Sequence, residues 1–146
     1  MQTLSADQAS GRKHRPRERL FRVELWLTAR LLPLLVAGRD LEGALRLADG
    51  GGPPRYAGLS AEAISDAVRK ITRRPWLMRD RRCFRQGILG YRFLKMAGYS
   101  PQLHFGIDEK SLREPTIDAH CWVVLDGKPV INDIMDGMFP IHVHPA

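Results

Sequence analysis

The chain holds only two cysteines, Cys83 and Cys121, in 146 residues. A small secreted scaffold stapled by disulfides usually carries more, so a reduced, cytoplasmic protein is expected, with one bridge still possible. Metal-binding spacings are missing as well. His104, His120, Cys121, His142 and His144 fall into no Cys-x-x-Cys or His-Glu-x-x-His pattern, and no metal or cofactor is expected. Long apolar runs are also lacking. The most apolar stretch, 25–37, contains Arg30 and Pro33 and falls short of the about 20 residues that span a bilayer. It also starts late and is interrupted for a signal peptide. Contact with a membrane surface stays open. No repeat and no low-complexity segment occurs.

Positive charge is abundant. The formal net charge is +7 and the pI is about 10.0, concentrated in Arg12-Lys13-His14-Arg15-Pro16-Arg17 and Arg79-Asp80-Arg81-Arg82. Such a surface attracts nucleic acid, anionic membrane or acidic polypeptide. No nucleic-acid-binding motif accompanies the runs, so nucleic acid is not expected as a partner.

The length suits one domain with a helical extension. Residues 1–16 lack periodicity and read as a flexible basic tail, 17–58 as a helical N-terminal subdomain, and 59–146 as the core. From Arg17 a helix is expected, with Leu20, Val23, Leu27, Leu31 and Leu34 as its apolar stripe and Pro33 kinking or ending it. A short helix over Leu41–Leu47 precedes the loop Asp49-Gly50-Gly51-Gly52-Pro53-Pro54. Ser60 looks like an N-cap, with Leu59 and Ile64 in staple positions, for a helix ending near Arg74. Cys83–Ala97 reads as a helix capped by Gly98. Its internal Gly87 and Gly90 share a face with Cys83 and Leu94, which suggests close approach to a sheet. Strands are expected at Leu103–Ile107, His120–Leu125 and Lys128–Asp133, the last two joined by the hairpin signal Asp126-Gly127.

A two-residue turn at Asp126-Gly127 sets Leu125 against Lys128, Val123 against Val130 and His120 against Asp133. His120 and Asp133 then occupy a non-hydrogen-bonded site, Cα atoms about 4.5 Å apart. Asn132 falls opposite Cys121 on the other face; a one-residue bulge would exchange Asn132 and Asp133. Cys83 opens a helix among Arg79, Arg81, Arg82 and Arg85, where both dipole and charge favour thiolate. Cys83 is thus the candidate nucleophile, His120 the base and Asp133 the group orienting the imidazole. The bland alternative is a small core cysteine beside a structural His–Asp pair.

The stretches Cys83-Phe84-Arg85, Phe93-Leu94-Lys95-Met96-Ala97-Gly98, Leu103-His104-Phe105-Gly106-Ile107, His120-Cys121-Trp122-Val123 and Asn132-Asp133 resemble the transglutaminase-like superfamily. Within it they resemble the leader peptidases of lasso-peptide biosynthesis. The resemblance covers about residues 80–140. Cys121 stands where that family usually has Ala, Val124 where an acidic residue is common, and Gly87 and Gly90 are less usual. It implies an α+β, papain-like fold, a Cys helix packed on an antiparallel sheet, with a helical N-terminal part. It also implies a Cys83–His120–Asp133 triad, a precursor peptide whose leader is removed, a separate small leader-recognition protein and a downstream cyclase. The rival readings are an acyl transferase on the same fold, through the same thioester, and a non-catalytic peptide-binding scaffold.

Overall fold

A computed structural model describes residues 6–73 and 82–146, with side chains described from Pro16 onward. Among the described residues four helices precede a sheet: α1 (Ala6–Val36), α2 (Leu41–Asp49), α3 (Ala61–Thr72) and α4 (Arg82–Met96). The strands are β1 (Gln102–Asp108), β2 (Ala119–Leu125), β3 (Lys128–Ile131) and β4 (Met138–His144), with a 3-10 turn at Glu109–Arg113 between β1 and β2. The sheet is antiparallel in the order β3-β2-β1-β4. The α+β architecture is the one expected, a cysteine helix on an antiparallel sheet with helices before it. No helix among the described residues is long and apolar enough to cross a membrane.

Local chemistry explains most boundaries. Asp40 accepts from the Gly43 N–H at the start of α2, and Ser60 from the Ala63 N–H at the start of α3. Each cap satisfies an amide the helix leaves unpaired. α4 ends where Gly98, at φ +89°, lets the Tyr99 N–H return to the Leu94 carbonyl. Asp126 and Gly127, both at positive φ, make the tight turn between β2 and β3.

Three expectations need correction. The first sixteen residues are not all tail: α1 begins at Ala6, runs through Pro16 and ends three residues after Pro33. The inward face of α1 is not the leucine stripe. It is Phe21, Leu25, Ala29 and Leu32, all buried, whereas Leu20, Val23, Leu27, Leu31 and Leu34 face solvent. Aromatic packing decides between the two stripes. The Phe21 ring meets Tyr56 and Phe93 edge-on, each at 5.5 Å between centroids, an arrangement that adds to the burial of the rings themselves. These contacts put α1, the loop before α3, and α4 in one hydrophobic cluster.

The third correction concerns register. Leu125 pairs with Lys128 and Val124 with Pro129, as the turn requires, but Val123 pairs with Ile131. Val130 is therefore an extra residue, a bulge just after the proline that cannot donate to the ladder. β3 then stops, because Asn132 turns left-handed at φ +56°. His120–Asp133 and Cys121–Asn132 are not ladder pairs.

Close approach of α4 to the sheet follows from its glycines. A Cβ on Gly90 would lie 1.9 Å from Ile131 Cδ1, and one on Gly87 would lie 2.8 Å from Cys121 Sγ. A side chain at either place would force Ile131 or Cys121 to shift. Each glycine weakens the helix by roughly 1 kcal/mol relative to alanine. Burial of Ile88, Leu89, Phe93 and Leu94, at roughly 1.5–3 kcal/mol each, exceeds that loss.

Candidate active site

Cys83 is the second residue of α4, half-buried, with its thiol near the start of the helix. Its carbonyl is held twice: the Cys121 thiol approaches it at 2.9 Å, and the Asn132 side-chain amide donates to it at 3.1 Å. The same amide donates to the Cys121 carbonyl at 2.9 Å. An NH2 group has two protons, so Asn132 can fasten α4 to β2 with one side chain. Asparagine tolerates the left-handed conformation that this position requires.

His120, on β2, is brought to the same place. Its ring stacks on Trp122, 6.1 Å between centroids at 25°, and Trp122 stacks in turn on His104. The His120 Nε2 lies 2.9 Å from the main-chain oxygen of Asp133. A carbonyl only accepts, so Nε2 carries a proton, and Nδ1 is the nitrogen left to face the cysteine.

The Cys83 thiol is lowered to about 5. Hydrogen bonding from the Cys121 thiol is the largest influence. Burial opposes it, and the Cys121 backbone N–H and His120 add to it, the latter by hydrogen bond and by charge. The single proton of Cys121 can serve the Cys83 sulfur or the Cys83 carbonyl, not both at once. Cys121 itself is buried and its own ionisation is pushed strongly upward, with proximity to Cys83 the leading cause and burial second. It is a donor here, not a second nucleophile. When Cys83 is protonated its thiol can reach the Ala119 carbonyl, 3.9 Å away.

The expected residues divide accordingly. Cys83 and His120 converge. Asp133 converges through its backbone, its exposed carboxylate making no hydrogen bond to the ring among the described contacts. The sequence assigned thiolate stabilisation to the helix start and to nearby Arg79, Arg81, Arg82 and Arg85. Arg79 and Arg81 lie outside the described residues; among the described groups, Cys121 and His120 are the ones that lower Cys83. Asn132 was placed opposite Cys121, but its clamp on Cys83 was missed; its only sequence signal is asparagine at the end of a short strand. Elsewhere, His142 lies against Phe105 and His144 pairs with Asp49 at 3.0 Å. Among the described residues no three His, Cys, Asp or Glu cluster as a metal site would require.

A cysteine near a helix start thus lies beside a strand histidine, the helix packed on an antiparallel sheet. A family model described as the transglutaminase-like superfamily matches residues 21–139. The chain belongs to that superfamily, and the match takes in α1 from Phe21 as well as the cysteine helix and the sheet. No curated protein and no solved structure matches the chain.

Proposed function

We propose that the protein is a cysteine peptidase that removes the leader segment from a ribosomally made precursor peptide, of the lasso-peptide type. The observation that carries this reading is a Cys83 thiol lowered to about 5 with His120 in contact. At neutral pH the sulfur is then thiolate and the imidazole can hold the proton. The thiolate adds to the scissile carbonyl carbon. Backbone N–H groups in the first turn of α4 would suit the resulting oxyanion. His120 gives its Nδ1 proton to the leaving amine as the C–N bond breaks, leaving a Cys83 thioester. Water, deprotonated by Nδ1, then releases the leader acid and restores the thiolate. The Asp133 carbonyl holds the ring by accepting from Nε2–H throughout.

Before β1 the described residues contain helices and no strand, so nothing there suits β-addition of a peptide. Leader capture is accordingly assigned to a separate small protein, and ring closure to a downstream cyclase. The proposal places the protein in the cytoplasm, where Cys83 and Cys121, both free, stay reduced.

The test is incubation with the precursor encoded beside this gene, with and without the neighbouring proteins, read by mass spectrometry. The expected product is leader with a free carboxylate, abolished by Cys83→Ala. Unchanged cleavage by Cys83→Ala would refute the reading, and leader bearing an amine adduct would convert it to acyl transfer.

A further inference from the structure

The leucine stripe of α1 is the largest feature that the core and the candidate site leave unused. Leu20, Val23, Leu27, Leu31 and Leu34 are 56, 55, 46, 49 and 75% exposed. They recur at three and four residues, a continuous ridge of about 21 Å at 1.5 Å per residue. Two hollows flank α1: a groove against α3, of about 650 Å³, with Leu25 and Trp26 on one wall and Ala67 and Ile71 on the other, and a smaller one on the side of α2 and α4, which Leu27 and Leu31 of the ridge line with Leu47 and Ile88. A helix apolar on both sides needs a second partner surface, and contiguous patches of this kind mark interaction sites.

Charge identifies the occupant. Arg19, Arg22 and Arg30 are exposed along the same helix, and Arg22 and Lys70 line the groove with Asp66. Arg30 sits 4.1 Å over the Trp26 ring. Glu24 is engaged by Arg55 and Tyr56, so it does not offset Arg19 and Arg22; Glu18 is an exposed carboxylate on the described part of α1. A second copy of this chain would bring arginine rim to arginine rim, which is repulsive. A lipid surface is flat and cannot fill a groove. An amphipathic helix from another protein can do both, laying its apolar face along the ridge with carboxylates meeting the arginines.

We propose that the α1 ridge and the α1–α3 groove dock a separate polypeptide presenting a leucine-rich helix rimmed by Asp and Glu. The inference deepens the proposed function and rests on it for the identity of that polypeptide, the small leader-recognition protein.

The experiment measures binding of the purified small protein encoded beside the precursor to the full chain by calorimetry, at low and high salt. Three versions are compared: wild type, Leu27→Glu/Leu31→Glu, and Arg19→Glu/Arg22→Glu. All changed positions are exposed, so an unaltered melting temperature and an unaltered alkylation rate at Cys83 establish intact folding. Binding is expected to weaken roughly tenfold or more in each double variant, and wild-type binding to weaken with salt. Partner-dependent cleavage should fall in parallel. No binding by wild type, or equal binding by all three, overturns the docking site. So does a wild-type dimer, or binding to phosphatidylglycerol vesicles in place of the protein, that Leu27→Glu/Leu31→Glu abolishes. Ridge-dependent binding without any cleavage would sustain the docking site and refute the peptidase. Cleavage stimulated equally in all three would do the reverse.

Discussion

Replacing Cys121 by alanine removes the thiol that most strongly favours the Cys83 thiolate. Losing a donor to the charged form raises the pKa. A hydrogen bond to a charged group contributes about 1.5–3 kcal/mol, which is roughly one to two units at 1.36 kcal/mol per unit. Cys83 is only half-buried, and solvent screening brings the expectation to the lower end, about one unit. The midpoint should therefore rise from about 5 to roughly 6. At pH 7.5 the sulfur stays almost fully ionised either way, so neutral activity should change little. At pH 5.5 the thiolate fraction should drop roughly threefold. Iodoacetamide alkylation against pH reads this directly, with Cys83→Ala as the blank. Cys121→Ser keeps a donor and should hold the midpoint near that of wild type. A Cys121→Ala midpoint within about 0.3 unit of wild type would refute the assignment of the leading influence to Cys121.

Asn132→Gly keeps the left-handed backbone but loses the clamp on the Cys83 and Cys121 carbonyls. It should lower kcat/KM on the precursor by roughly tenfold or more, at about 1–3 kcal/mol for two carbonyls left short of a donor. Asp133→Ala retains the carbonyl that meets His120, so its kcat/KM should fall less than about tenfold, in contrast to the roughly 10⁴-fold loss known where a carboxylate itself orients a catalytic imidazole. Gly90→Ala should lower the melting temperature despite better helix propensity, because the new methyl meets Ile131 Cδ1; a cost of about 1–3 kcal/mol is expected, partly recovered by Ile131→Val. Asp49 is buried in part, which alone would raise its pKa, but hydrogen bonds from Tyr91, His144 and Lys95 outweigh this and lower it. Its contribution is present above the ordinary carboxylate range and lost as pH falls below it, so Asp49→Asn should flatten the acid limb of a stability-against-pH curve measured by urea unfolding.

Features set by a few neighbouring residues were legible in the chain. Ser60, Asp126-Gly127, Gly98 and the glycines of α4 act within one turn or against one facing side chain. Register beyond the turn was not legible, because counting assumes one residue opposite one, and Val130 breaks that count after Pro129. The inward face of α1 could not be read locally, since both of its stripes are apolar; the positions of Tyr56 and Phe93 select Phe21. β4 was missed because Pro140 and a largely exposed sequence disguise an edge strand, where a proline can be accommodated. Cys83 and His120 were recognisable by type and order. The service rendered by Cys121, Asn132 and the Asp133 backbone depends on a bulge and a left-handed residue, which spacing does not reveal.

The aromatic trio Phe21, Tyr56 and Phe93 has a practical corollary for anyone seeking a minimal enzyme. Excising α1, α2 and the loop that carries Tyr56 would strip Phe93 of its neighbouring rings and Tyr91 of the Asp49 carboxylate it donates to. The helix bearing the reactive sulfur would be left without a floor. A fragment over 59–146 should therefore be recovered as aggregate and not as a smaller catalyst.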